Sequence, residues 1–443
     1  METLLNCSPC VLVTGYTGFL GKVVVEELCR QQNAGILPYH RILVLIRPSK
    51  TQTARDRFLH TTNAVCFSKL PTACWPSMVE VVEADLAIPD LGLDSITLKS
   101  LCASITHIIH CAASVNFDSS LADATLANVN TSMNILDLAR ECPQLRQMVD
   151  VSTAYVSAPR NGTIQEVLAP LPENMQAEHL YKMILSGAID EARLLRTSGH
   201  PNTYTMSKCL AEHMLHKRRD TIPLTIVRPS IICASLLYPF PGYIDSYAAI
   251  GGFVALYGSG FFHVVEGDPN AVFDVVPVDV VAQHIIDESR LSDIDAKPTD
   301  AFKIVHSVAG LQDSCSMRDL TALGAHFFRA HPGILRPYWT YTGPKCARYH
   351  CYRTVTQTLP LSVMSLISKI SGDKKIIRQL GVVKRGIKKI DQSLPFFLKH
   401  TFDFATHRRI GEDFSSAAYV QLLMKGIHRH LIRRELYVDL PRV

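Results

Sequence analysis

One stretch constrains this chain more than any other: Val11-Leu-Val-Thr-Gly-Tyr-Thr-Gly-Phe-Leu-Gly21, an apolar strand, a glycine turn and a helix start. Gly15 permits a tight turn, Gly18 lets a diphosphate approach the backbone, and Gly21 lets the helix lie close to the strand. The unpaired N–H groups and dipole of the helix start favour a bound phosphate. The spacing is GxxGxxG, and its place between a strand and a helix makes it a dinucleotide site. Thr14, Gly15, Thr17, Gly18, Phe19, Leu20 and Gly21 are the expected contacts.

The rest of the first three hundred residues follows suit. Continuous apolar runs recur at Ile42–Ile46, Val79–Val82, Ile105–His110, Met148–Val151 and Leu224–Val227, with helical patterns between them, such as Thr131–Arg140 and Lys208–Arg218. Continuous runs read as strands buried on both faces, and strand–helix alternation implies parallel pairing with right-handed crossovers. After about Ser307 the strand pattern stops, and helices are expected at Met317–Arg329, Leu361–Ile370, Lys374–Ile390 and Phe414–Leu431. The fold expected is α/β, a Rossmann-type doubly wound parallel sheet over 1–310, with a smaller, mostly helical C-terminal domain over 331–443.

Charge supports two units. The net charge is +5, yet residues 332–443 carry 20 Lys and Arg against 7 Asp and Glu, a balance of +13 that leaves −8 for the rest. A basic unit suits acidic headgroups or nucleotide phosphates. The thirteen cysteines show no disulfide spacing, and neither Cys7-Ser-Pro-Cys10 nor Cys346 and Cys351 around His350 has a second ligand pair, so no metal is expected. No secretory leader pattern precedes the first strand. Tyr247 to Val265 is 19 residues long without a formal charge, but its four glycines favour a buried or membrane-touching pocket element over a span.

Details after successive strands refine the cofactor. The second strand ends in Arg47, with Lys50 nearby, where an NAD site would carry an acid; a cation suits a 2′-phosphate and favours NADPH. Asp85 and Leu86 follow the third strand and are placed for the adenine. His110-Cys-Ala-Ala113 brings small residues to the ribose. Asn130 is expected to begin a helix, either in a proton relay or as a plain N-cap. Ser230 follows Arg228-Pro229, where a strand end would wall the nicotinamide.

The catalytic candidates are Thr153, Tyr204 and Lys208. Tyr204 and Lys208 are four positions apart and share one helix face. A tyrosine is a poor acid at neutral pH, and a cation one turn away is expected to lower its pKa, while Thr153 would hydrogen-bond the substrate oxygen. Lys208 can also hold the nicotinamide ribose, and Tyr204 and Lys208 are both expected to contact the cofactor.

These residues resemble the extended short-chain dehydrogenase/reductases, and more closely the fatty acyl-CoA reductases. Val151-Ser-Thr-Ala-Tyr155 and His200-Pro-Asn-Thr-Tyr204-Thr-Met-Ser-Lys208-Cys-Leu-Ala-Glu212 are similar to that family's active-site segments. So are the long insertion between Thr153 and Tyr204, Pro241-Gly-Tyr-Ile-Asp245 and Asp274-Val-Val-Pro-Val-Asp279, while Phe402-Asp-Phe404 and Gly426-Ile-His-Arg-His-Leu431 resemble its helical C-terminal domain. The resemblance implies reduction of a fatty acyl-CoA by NADPH, through an oxyanion held by Tyr204 and Thr153, to an aldehyde and then a primary alcohol. It implies an acyl tunnel lined by 243–265 and the C-terminal helices, and an intracellular protein at the cytosolic face of the peroxisome or endoplasmic reticulum. No nucleic acid partner is expected; the basic stretch Lys374 to Lys389 would meet CoA phosphates or the surface of a membrane. Release of the aldehyde is an alternative outcome, as is a sterol or sugar-nucleotide dehydrogenase, which shares the trio but not the insertion or the helical region. A non-catalytic role would leave Thr153, Tyr204 and Lys208 without a reason.

Overall fold

The computed structural model describes residues 9–433 apart from 38, 72–74, 160–161, 291–300, 333–339 and 409. The chain divides into two compact units: residues 1–158, 164–232 and 278–308, and residues 159–163, 233–277 and 309–443.

In the first unit the apolar runs form one parallel sheet. Its strands are β1 (Cys10–Thr14), β2 (Arg41–Ile46), β3 (Val79–Glu83), β4 (His107–His110), β5 (Gln147–Val151), β6 (Leu224–Pro229) and β7 (Phe302–Ser307). The order is β7-β6-β5-β4-β1-β2-β3, so the chain reverses direction of travel between β1 and β4. That reversal opens a crevice beyond the carboxyl ends of the strands, where ligands bind in such sheets. β1, β4 and β5 are buried throughout, as their runs require, whereas the edge strand β3 is only partly covered.

Helices cover both faces. Leu12, Leu43, Ile108, Met148 and Ile226 join one apolar cluster with Ile135 and Leu136 and with Met206, Leu210 and Met214. On the other face α1 (Phe19–Asn33) packs against a helix at Val278–Ser289. Two more helices matter for the site: α2 (Ala54–Thr62) and α3 (Thr203–Arg218). α2 starts in a reciprocal capping box of Thr53 and Asp56.

The second unit is mostly helical. Within 247–265 a ten-residue helix, Ala249–Gly258, precedes a short strand, Val264–Glu266. Among the described residues no helix is long and apolar enough to cross a membrane. The strand pattern does not end completely at Ser307: Tyr341–Gly343 pairs in parallel with Val264–Glu266, and Cys315–Ser316 pairs antiparallel with Val272–Phe273. These pairs are two or three residues long, too short for a hydrophobic period to register.

Two helices of this unit follow one another closely, α4 (Leu359–Ile370) and α5 (Lys374–Phe397). α4 does not begin at Leu361 as expected. The helix at Ala347–Arg353 runs through a π turn, Thr354–Thr358, directly into it. A wider turn just ahead of Pro360 accommodates the N–H that proline lacks and its ring, which would otherwise press on the carbonyl one turn back.

Candidate active site

The glycine turn is built as its spacing requires. Gly15 has φ +76°, and a Cβ there would stand 2.8 Å from the Ala112 nitrogen in the turn after β4. A Cβ on Gly21 would overlap the Gly15 carbonyl oxygen. Gly18 caps α1 with no side-chain partner and no acid in the first turn, and its own N–H bonds the Gly15 carbonyl at 2.9 Å. The helix start is therefore left open to an anion. Thr14 Oγ1 accepts from the Ala112 N–H at 3.2 Å and meets His110 Nδ1 at 2.8 Å, tying the turns after β1 and β4 together. Thr17 is exposed, and Phe19 and Leu20 are half-buried at the helix start.

At the end of β2 the Arg47 side chain is 65% exposed and its Nη1 lies 4.0 Å from Asp85 Oδ1. A second guanidinium arrives from α2: Arg57 donates to the Arg47 carbonyl and, at 3.5 Å, to Thr17 Oγ1. Asp85 accepts from the Ala87 N–H at 3.1 Å, and the Leu86 carbonyl from Asn134 Nδ2 at 2.8 Å, so both are held by their own surroundings. Two cations beside the glycine turn are placed to meet a phosphate. Sequence reading missed Arg57; its signal was a cation one turn into the helix after β2.

α3 carries the catalytic candidates. Asn202 caps it by accepting from the Thr205 N–H at 3.0 Å, which fixes the turn that holds Tyr204. The Tyr204 ring lies 5.7 Å from that of Phe117. One turn on, Lys208 is buried, with Nζ 3.5 Å from Asp150 Oδ2 on β5. Asp150 Oδ1 accepts from Ser132 at 3.3 Å and lies 4.0 Å from His110 Nε2. A buried polar line thus joins Thr14, His110, Asp150 and Lys208 across β1, β4, β5 and α3.

This line changes the expected electrostatics. Burial, and then the Asp150 charge, push the Tyr204 phenol well above its ordinary value. The expectation that Lys208 would lower it is not met: the ammonium is engaged by Asp150, and desolvation of the phenolate dominates. Tyr204 is therefore a phenol at neutral pH, a proton donor rather than a base. Burial pulls His110 down to about 4 against the opposing pull of Asp150, so its ring is neutral.

Burial also pulls His200 to about 4. Unfolded, both histidines bind protons below about 6.5. Stability from keeping them neutral is complete above that pH and is lost as pH falls from about 6.5 toward 4. Denaturant unfolding at pH 7 and pH 5 should show this loss, and His110→Gln should reduce the slope between them; an unchanged slope would contradict a buried neutral His110.

Thr153 follows β5, buried, with Oγ1 accepting from the Tyr155 N–H at 3.3 Å and reaching the Pro229 carbonyl at 3.5 Å. Ser230 is buried, its N–H on the Ser307 carbonyl at 3.2 Å. Asn130 does not begin a helix: a π turn, Leu126–Asn130, carries one helix into the next, and Asn130 Oδ1 accepts from Tyr181 at 2.7 Å. Its neighbour Asn128 instead links the site, bonding both the N–H and carbonyl of Ser114 and donating to Ser207 Oγ at 2.9 Å. Behind the site Arg228 on β6 holds Glu212 on α3 by two hydrogen bonds of 2.9 and 2.6 Å, both residues fully buried. The buried Ser152 Oγ makes no hydrogen bond among the described residues, and Lys208 Nζ has only its ion pair. Orphaned donors after β5 and on α3 fit the hydroxyls of a cofactor ribose.

Comparison with known proteins identifies the family and the fold. A family model described as "Male sterility protein", a nicotinamide dinucleotide-binding domain, matches residues 13–285. Fatty acyl-CoA reductase 2 of Mus musculus is 29% identical over 407 residues, covering 90% of this chain and 76% of its own. Fatty acyl-CoA reductase wat of Drosophila melanogaster is 29% identical over 404 residues, covering 89% and 75%. Fatty acyl-CoA reductase 1 of Gallus gallus is 33% identical over 274 residues, covering 61% and 52%. Among solved structures, the terminal reductase domain of the myxalamid biosynthetic pathway superposes with TM-score 0.64 at 22% identity, over 99% of this chain and 94% of that one. The reductase domain of a Mycobacterium tuberculosis nonribosomal peptide synthetase gives 0.60 at 19%, over 94% and 92%. At these identities the structures speak for the fold alone. With the family model spanning more than half its length, the chain belongs to the male sterility protein family of nicotinamide-dinucleotide-binding reductases, and the relatives it aligns with almost throughout are fatty acyl-CoA reductases.

Proposed function

We propose that this chain is an alcohol-forming fatty acyl-CoA reductase that uses NADPH. The observation that carries the reading is Tyr204, a protonated phenol beside the buried Lys208–Asp150 pair, in the same unit as the glycine turn. In this reading the backbone from Gly15 to Gly21 holds the diphosphate, Arg47 and Arg57 the 2′-phosphate, Lys208 the nicotinamide ribose, and the backbone around Ser230 the carboxamide. When bound, the reduced nicotinamide supplies a hydride to the thioester carbonyl, and a second equivalent supplies one to the aldehyde.

The chain's own groups handle the oxygen. Thr153 donates a hydrogen bond to the oxygen as charge develops there, and Tyr204 donates its proton. Collapse of the resulting hemithioacetal returns its hydroxyl proton to Tyr204 and breaks the carbon–sulfur bond, releasing aldehyde and a CoA thiolate that takes its proton from water. At the aldehyde stage the same two hydroxyls face the same oxygen, and the proton from Tyr204 completes the alcohol. Asp150 keeps Lys208 in place through both steps.

The reading is tested by following NADPH oxidation by the purified chain on C12 to C20 acyl-CoAs, with thiol and lipid products measured together. CoA release with fatty alcohol is expected. Aldehyde accumulation would reduce the reading to a two-electron reductase, and no NADPH consumption on any acyl-CoA would overturn it.

Cofactor preference has its own test. Arg57→Ala is expected to raise KM for NADPH about 10-fold to 100-fold, the worth of a charge-assisted contact to a phosphate, and to leave KM for NADH unchanged. Arg47→Ala should act in the same direction. An equal rise for both cofactors would remove the 2′-phosphate assignment.

A further inference from the structure

α4 and the π turn before it are turned the wrong way round for a helix in water. Val355, Leu359, Val363, Leu366, Ile367 and Ile370 are between 47% and 79% exposed. At 3.6 residues per turn the five on α4 fall within about 100° of arc, a single stripe. The opposite side, which packs inward, carries Gln357, Leu361 and Ser368, two of the three polar. Helices at a protein surface ordinarily show the reverse pattern, and a contiguous exposed aliphatic patch marks a face that is covered in use.

Charge identifies what covers it. From Thr354 to Ile390 the chain has eight Lys and Arg and a single acid, Asp373. That acid is occupied as the N-cap of α5, accepting from the N–H groups of Lys375 and Ile376. Lys369 borders the stripe on α4, and Lys374, Lys375 and Arg378 follow within the first turns of α5, all exposed. α5 adds Ile377 and Val382 to the exposed aliphatic surface, 38% and 54% exposed. The next acid, Asp391, is ion-paired with Arg353.

We propose that this face, the stripe of residues 355–370 with the cationic start of α5, docks the chain in the plane of an anionic phospholipid surface. Aliphatic side chains along one helix face with lysine and arginine beside them are the chemistry of a helix lying at the headgroup–acyl boundary. A nucleic acid would satisfy the cations and leave six aliphatic side chains in water. A second copy packed face to face would bring two clusters of the same sign together. The proposal does not depend on the acyl-CoA reading and is tested without turnover.

The experiment is cosedimentation of the purified full chain with phosphatidylcholine vesicles, with and without phosphatidylserine, at low and high salt. Binding to the anionic vesicles is expected, weaker by at least about tenfold on neutral vesicles or at high salt. A Leu366→Ser, Ile367→Ser, Ile370→Ser variant should lose at least about tenfold on anionic vesicles. A Lys374→Glu, Lys375→Glu, Arg378→Glu variant should lose about 10²-fold. All six side chains are exposed, so both variants should keep the parent melting midpoint, which separates a lost surface from a lost fold. No vesicle binding by the parent chain, or binding unchanged in both variants, overturns the proposal. So does a parent chain that self-associates, ignores vesicles and becomes monomeric in the serine variant, since the stripe would then belong to a second copy.

Discussion

Tyr204→Phe is expected to lower kcat/KM for acyl-CoA by about 10²-fold to 10⁴-fold, the usual worth of a positioned general acid. The change removes one oxygen and keeps the ring, so its contact with Phe117 survives. Cofactor affinity should hardly move, because the ribose contact is assigned to Lys208. The loss should appear in kcat more than in KM, since the phenol acts on an oxygen that gains charge only during reaction. The raised pKa adds a sign: activity should not need deprotonation of Tyr204 and should not rise as pH approaches the ordinary tyrosine range. Residual activity within threefold of the parent would remove Tyr204 from the chemistry, and Thr153 would be the next hydroxyl to test.

Glu212→Ala should destabilise the first unit by about 3–5 kcal/mol. The loss is large because Arg228 is fully buried, and its charge would be left without its carboxylate. Burial alone disfavours the guanidinium charge, and Glu212 more than offsets this, so Arg228 sits above its ordinary value in the intact pair. Denaturant unfolding measures the loss directly. A Glu212→Leu, Arg228→Met double variant should recover most of it, since a buried pair replaced by apolar groups of similar size is often neutral. A double variant as unstable as the single one would mean that packing around Glu212, not the stranded charge, sets the cost. Activity should fall with stability, because this pair anchors to β6 the helix that carries Tyr204 and Lys208.

What could be read from the sequence was local. The glycine turn spans seven residues from Gly15 to Gly21; Gly15 takes the positive φ that a tight turn implies, and a Cβ on Gly21 would strike the Gly15 carbonyl, as close helix–strand packing implies. Tyr204 and Lys208 lie one helical turn apart, so their shared face follows from spacing alone. Apolar runs announced the strands because burial on both sides leaves no polar period. Asp150 was illegible for the same reason: it lies inside the buried run Gln147–Val151, and only the fold brings Lys208 and His110 to it. Burial of the phenol, which spacing does not record, reversed the expected direction at Tyr204, and that unseen carboxylate added to it. Asn130 was misplaced because a π turn adds a residue to the helix ahead of it, which no side-chain pattern records. Helix α4 was begun too late because Pro360 looks like a boundary, and a second π turn carries the chain through it.

The strand order has a consequence for how the molecule comes into being. β1 is synthesised before the other strands of its sheet, yet it pairs with β4, and the bond from the Cys10 N–H to Thr106 closes a span of 96 residues. β5 must then wait for β6, whose partner β7 comes later still. Such distant parallel pairings make folding slow, since each loop is closed before its contacts reward it. A nascent chain that stops short of Leu224 has its phosphate cradle encoded but lacks the strand that Arg228 uses to hold α3. Competence for chemistry therefore waits for the sixth strand, and until then the apolar edge of β5 is a surface for chaperones to shield.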